Sequence, residues 1–258
     1  MIKTRRFFLI SILFLIINNI NSYAEQKTFD LYLTTGYGFG AGGRFIGSSQ
    51  TYDGLTLVSR KDHYQNFGQG IKIEAGMDYL ASEKLYVQAG FSYSIGVPII
   101  EQKITAVGTS TDIKYSWSTI GIKVLAKPTF QLLDLFDVYA GFGIGLYFAI
   151  SSCDIKVVAG SVENTAKGED SNNPAFAIIG SLGLEYPIVE NVIAFFEVYS
   201  EQMSFTTTKT EYTHSSFSTG PYTNHTEYYQ KDVTDREPPP KIPGSNVALR
   251  IGVRVPIF

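Results

Sequence analysis

Glycines at Gly38, Gly40 and Gly43 match G-x-G-x-x-G within "TTGYGFGAGGRF", residues 34–45. At that spacing a backbone can wrap the pyrophosphate of a dinucleotide, provided that a strand leads in and a helix leads out. His214 is followed by Ser215 and Ser216, and a base beside a hydroxyl is the beginning of an activated nucleophile. Three histidines, His63, His214 and His225, could converge on a metal, although no pair has the H-x₃-H spacing of a helical zinc site. What these residues do depends on the elements that hold them.

Those elements alternate. "FDLYLTTGYGF" sets Phe29, Leu31, Leu33, Thr35, Tyr37 and Phe39 on one face, with Gly36 and Gly38 on the other. Period-two stretches recur near 70–79, 85–95, 118–126, 137–150, 176–186, 192–198 and 246–255, which makes eight strands. Past the first 24 residues no segment has a helical period. The glycines therefore lie within a strand, "RFIGSSQTYDG" after them opens no helix, and the dinucleotide fingerprint is a coincidence of composition. Glycine at alternate positions returns at Gly141, Gly143 and Gly145.

The chain begins with Lys3, Arg5 and Arg6, then the apolar run "FFLISILFLII", then Ser22 and Ala24 as small residues before a cut. This layout predicts a signal peptide over 1–24, cleaved in the mature protein. The run is too short for a spanning helix, which needs roughly 20 residues. Removing it takes away basic charge only, so the mature chain is more acidic than the formal −3 of the whole sequence. That balance argues against nucleic acid as a partner. Cys153 is the single cysteine, so an intrachain disulfide is excluded.

Long alternating strands whose second face is rich in Gly, Ser and Ala do not suit a soluble sandwich, whose strands average about five or six residues. They suit a closed barrel that crosses a bilayer, apolar outside and crowded inside. The expected fold is all-β, an eight-stranded antiparallel up-and-down transmembrane barrel over 25–258, with ten strands as the variant if the last loop holds a hairpin. Short links ("ASEK", "PTFQLLD", "PIVEN") alternate with long ones at about 47–66, 98–112, 152–173 and 208–245. Short periplasmic turns and long outer loops show that asymmetry. Phe29, Tyr79, Phe136 and Tyr186 fit one interfacial girdle, and Phe67, Tyr93, Trp117 and Phe176 the other.

With this pattern the chain resembles the small outer-membrane β-barrels of the OmpA/OmpX type, across the whole mature length. The resemblance implies the outer membrane of a Gram-negative-type bacterium, contact with its lipid, and handling by the barrel-assembly machinery. Phe258 resembles the closing aromatic of such proteins, but Ile251, Val253 and Val255 sit in the opposite phase and Pro256 interrupts, so strand pairing is expected to stop near Val255.

In this phasing the lumen receives four bases, Lys72, Lys123, Arg250 and Arg254, and five acids, Asp30, Glu74, Asp78, Glu185 and Glu197. Buried charge is costly unless paired, and strand order predicts Glu197 against Arg250 and Asp30 against Arg254. The principal reading of this set is a salt-bridged plug; a charge-lined pore is the other. Loop 208–245, dense in Thr, Ser and Tyr, offers Tyr212, His214, Phe217, Tyr222, His225, Tyr228 and Tyr229 as a candidate binding surface. The expected function is structural or surface-interacting, adhesin-like, through loops that meet host or extracellular molecules. A narrow porin-like channel stands as the alternative, and a barrel enzyme acting on lipid as a remote third. No catalytic residue, cofactor or metal is assigned.

Overall fold

The computed structural model describes residues 29–53, 56–105, 109–132, 136–189, 191–218, 220–229 and 240–257; the leader 1–24 and Phe258 lie outside them. Eight strands close a ring: β1 (Phe29–Gly40), β4 (Gly70–Ser82), β5 (Leu85–Ile95), β7 (Thr109–Leu132), β8 (Phe136–Ala159), β10 (Ala175–Val189), β11 (Val192–Gln202) and β15 (Asn246–Pro256). Each pairs antiparallel with its ring neighbours, and the circle is completed by β15 with β1 and by β7 with β8. These are the eight strands that the alternation predicts.

Their two faces follow from side-chain chemistry. Along β1, Leu31, Leu33 and Phe39 are exposed, while Asp30, Tyr32 and Thr34 are buried. The same inversion holds round the ring, to the point that Phe176 is 80% and Phe142 68% exposed. In water such an apolar exterior would be an aggregation hazard; in hydrocarbon it is the stable arrangement, because closure leaves no unpaired strand edge. Gly36 shows why glycine alternates on the inner face. A Cβ there would run into the β15 backbone at the Leu249 carbonyl oxygen and would also lie 2.7 Å from Arg250 Cγ, so the strand and its arginine can pass only at a glycine.

The long connections differ from expectation, because they are largely strands. β2 (Arg44–Asp53) and β3 (Thr56–Gln65) form a hairpin that takes up most of 47–66, and β6 (Ile99–Thr105) lies within 98–112. Within 152–173, β8 runs on and turns into β9 (Val162–Asn172); β12 (Ser204–Thr213), β13 (His225–Tyr228) and β14 (Lys241–Pro243) supply the last connection. β7 and β8 are 24 residues each and pair from one end to the other except at Lys127 and Pro128. Their upper halves carry an open sheet in the order β13-β12-β9-β8-β7-β6-β2-β3. The ten-strand variant is corrected on the same ground: β12 and β13 make a hairpin in this outer sheet and leave the ring at eight.

Phe29 against Tyr79 and Phe136 against Tyr186 form ring pairs at 5.0 and 5.4 Å, on the outward face at the end of the ring with the short links. Two residues assigned to the outer girdle lie elsewhere: Phe67 and Trp117 are buried. They belong to an apolar cap over the lumen with Met203, Phe205 and Ile242. Phe67 packs on Phe205 at 5.4 Å, and its N–H donates to the Pro243 carbonyl at 2.8 Å.

Candidate functional site

Strand pairing stacks the lumen charges in tiers. In the middle tier, Arg250 on β15 donates from Nε to Glu197 Oε1 at 2.8 Å and from Nη1 to Glu74 Oε2 at 2.7 Å. Lys123 on β7 reaches the same Glu74 oxygen at 2.7 Å. Tyr32 and Tyr139 donate to the other oxygens of Glu74 and Glu197, at 2.7 and 2.9 Å. The Arg250 guanidinium lies 3.6 Å from the centre of the Tyr199 ring, a stacking that a planar cation makes at little desolvation cost.

Towards the end of the ring where β4 turns into β5, Arg254 meets Asp30 at 3.2 Å, Glu185 at 2.6 Å and Asp78 at 3.6 Å. Lys127 meets Asp78 at 3.2 Å, and Gln88 donates to the other Asp78 oxygen at 2.9 Å. Towards the outer end, Glu201 accepts from Lys72 at 2.5 Å, Tyr199 at 2.9 Å and Asn246 at 2.8 Å, and also from Tyr147. Above this tier lies the apolar cap.

Every charge that the sequence places in the lumen is buried there, and the structure brings Glu197 to Arg250 and Asp30 to Arg254. Sequence reasoning missed Lys127 and Glu201. Each lies four residues beyond a lumen charge of the same strand, Lys123 and Glu197, so extending the phase by two further alternations would have found both. The alternation puts Tyr139 and Tyr147 on the inward face with Gly141, Gly143 and Gly145, but it gives no role to them, nor to Tyr32 and Tyr199. Their hydroxyls supply the hydrogen bonds without which the carboxylates would remain costly.

The second candidate surface lies on the outer sheet. Tyr212, Phe217 and Tyr222 pack against a small cluster of Ile113, Ile155 and Ala166. His225 stacks on Tyr212 with ring centres 4.9 Å apart, and Tyr229 donates to Glu227 at 3.1 Å. Tyr228 is exposed, and His214 stands at the end of β12 with φ 52°. The seven residues thus divide: Tyr212, Phe217, Tyr222 and His225 come together, Tyr229 joins through Glu227, and His214 and Tyr228 face outward. Of the two serines after His214, Ser216 is engaged with Thr165, and Ser215 Oγ accepts from the Phe217 N–H. Among the described residues no group of His, Cys, Asp and Glu is placed to hold a metal.

His225 Nδ1 lies 2.6 Å from the Thr223 carbonyl and Nε2 lies 3.2 Å from Glu227. Only the imidazolium can donate at both nitrogens, so the Thr223 carbonyl first and Glu227 second raise its pKa above the ordinary 6.5. A raised value means that the support is complete below the unfolded pKa and is lost as pH rises through the folded one. Corrected for the intrinsic base-catalysed rate at each pH, the protection of the β12–β13 amides, Lys209 to Tyr212, should therefore be greater at about pH 5.5 than at about pH 8. The His225→Gln variant should lose that difference; a difference that persists would remove His225 as its source.

Taken together, the inverted exterior, the closed ring and the filled lumen define a membrane-spanning β-barrel. Its structure is similar to that of a major outer membrane protein from Thermus thermophilus, with TM-score 0.51 and 10% identity over 90% of this chain and 100% of that one. Weaker likenesses are to the outer membrane protease OmpT of Escherichia coli (TM-score 0.38, 9% identity, 91% and 99% covered) and to Neisserial surface protein A (TM-score 0.37, 12% identity, 90% and 99% covered). No family model matches the sequence, and a search of curated proteins finds no match. The fold is that of the small outer-membrane barrels, the OmpA/OmpX type that the sequence resembles.

Proposed function

We propose that the chain is exported by a leader cleaved after Ala24, is inserted into the outer membrane by the barrel-assembly machinery, and serves as a structural, adhesin-like surface protein. The observation that carries this reading is the length of β7 and β8, 24 residues each. A strand crosses a bilayer in roughly 9–11 residues. The remainder builds a sheet that has no part in closing the barrel, and whose Tyr- and Ser-rich surface suits contact with host or extracellular molecules.

The filled lumen supports the same reading. A porin-like channel needs a continuous water path, whereas paired charges and the apolar cap occupy the axis here. Refolded protein in a planar bilayer, its folding verified by heat-shifted gel mobility, is therefore expected to be electrically silent. Steady, reproducible openings would replace this reading with the channel. The surface role has its own test. Cells displaying the chain should adhere to host cells or matrix, and replacing Tyr228 and Tyr229 by Ala should reduce adhesion; equal adhesion by cells that lack the chain would end that role.

A further inference from the structure

The stretch His214–Ser218 runs on from β12 along the same edge of β9, where Thr213 lies opposite Lys167 and Ser216 reaches Thr165, and with Tyr222 beyond it lays two rings on the inner face of the outer sheet. Ser216 N–H donates to the Thr165 carbonyl at 2.9 Å, and Thr165 N–H returns a bond to Ser216 Oγ at 2.7 Å. This adds a short piece of chain to β9 in the way a strand is added to a sheet. Phe217 and Tyr222, ring centres 5.6 Å apart, then cover Ile113, Ile155 and Ala166. The stretch is bracketed by two left-handed residues, His214 at φ 52° and Gly220 at φ 99°: the first shifts the β9 pairing by one residue, the second precedes the return to β13, and rotation at the two would lift the stretch without disturbing β12.

Such a strap is lightly held. The Ser216–Thr165 bonds and the rings of Phe217 and Tyr222 tie it to the sheet, far less than the ladders that join the ring strands, and local opening draws on contacts of this kind. What lies beneath is an apolar floor flanked by Tyr115 and Tyr212. An extended segment with an aromatic side chain fits it, because such a segment fits it now.

We propose that His214–Ser218 and Tyr222 form a self-ligand, a displaceable strap that occupies a docking face for an aromatic-bearing extended peptide of a partner. Resting on the surface-interaction reading above, it supplies the chemistry of the partner: one or two aromatic rings, and a backbone able to bond to Thr165 as Ser216 does.

Cys153, the only cysteine, is a built-in reporter, since its side chain packs against the same floor. Burial first, and Asp170 second, push its thiol up to about 12, so it labels slowly while covered. In the refolded full-length mature chain, the double variant Phe217→Ala and Tyr222→Ala should label with a maleimide on the order of tenfold faster while retaining the heat-shifted mobility of a folded barrel. A synthetic peptide of residues 214–222, HSSFSTGPY, added in trans, should restore slow labelling; the same peptide with its Phe replaced by Ala should not. Unchanged labelling in the double variant overturns the strap, and a peptide that gives no protection overturns the docking face. If the double variant fails to fold, Ser216→Pro removes both bonds to Thr165 and keeps the rings; it should also speed labelling, and no change would equally overturn the strap. The labelling involves no outside partner, so its failure leaves the adhesion reading standing, and failed adhesion leaves the strap standing.

Discussion

Arg250→Ala is expected to be the most damaging single substitution in the barrel. The guanidinium bridges Glu74 and Glu197, and it is buried together with them. Its removal leaves two carboxylates facing each other in a closed lumen, with Lys123 still at Glu74. Breaking a buried pair from one side costs about 3–5 kcal/mol, and the lost stacking on Tyr199 adds to it. A lowered urea midpoint, followed by heat-shifted mobility, reads the loss. Arg250→Lys should recover only part, since a point charge cannot bridge two carboxylates as a fork does. Pairing Arg250→Ala with Glu197→Gln should recover part as well, because one of the orphaned charges is then gone. An alanine variant as stable as the parent would mean that water already solvates these carboxylates, and the plug would no longer describe the lumen.

Glu201→Ala comes second. This carboxylate gathers Lys72, Tyr147, Tyr199 and Asn246 from four strands. Alanine there strands a buried ammonium, two hydroxyls and an amide directly beneath the apolar cap. The loss should again be about 3–5 kcal/mol. Glu201→Gln should cost less, because an amide oxygen still accepts, although Lys72 remains uncompensated. Lys72→Met on the alanine background should be stabilising, since a methionine of similar shape carries no charge to bury. If Lys72→Met lowered the midpoint further instead, the two residues would not be acting as a pair.

The sequence makes the ring legible because hydrocarbon outside and a crowded lumen inside demand opposite chemistry from neighbouring residues. Where both demands apply, as from Phe29 to Phe39 or from Val247 to Val255, period two is plain and the phase of every charge follows. It fades at strand ends. After Val198 the outward positions are Ser200 and Gln202, so the apolar signal stops there and Glu201 is lost with it. After Ala126 the next outward residue is Pro128, and Lys127 is lost in the same way.

The outer sheet is illegible for a related reason. β9, "VENTAKGEDSN", shows no apolar alternation, because water lies on one side and only Ala166 joins the small apolar cluster on the other. Here the backbone ladder, which no side-chain pattern records, keeps the strands together. Aromatics are ambiguous for a third reason: Phe67 and Trp117 lie near strand ends as girdle residues do, yet the return of 240–245 across the mouth makes that place an interior. Candidate residues of the last loop were identifiable by composition, but their grouping was not, because it depends on β9 and β12 lying side by side.

The long passage of β7 and β8 from the ring to the tip of the outer sheet, gapped only at Lys127 and Pro128, has a mechanical consequence. Their ladder runs from Leu132 opposite Phe136 to Thr109 opposite Ala159, with hydrogen bonds at right angles to the strands. A pull on the outer tip, along the strands, loads many rungs at once instead of unzipping them singly. A tether seized at its outer end would hand the force to the embedded ring, and the first parts to yield would be the short strands at the margins of the outer sheet.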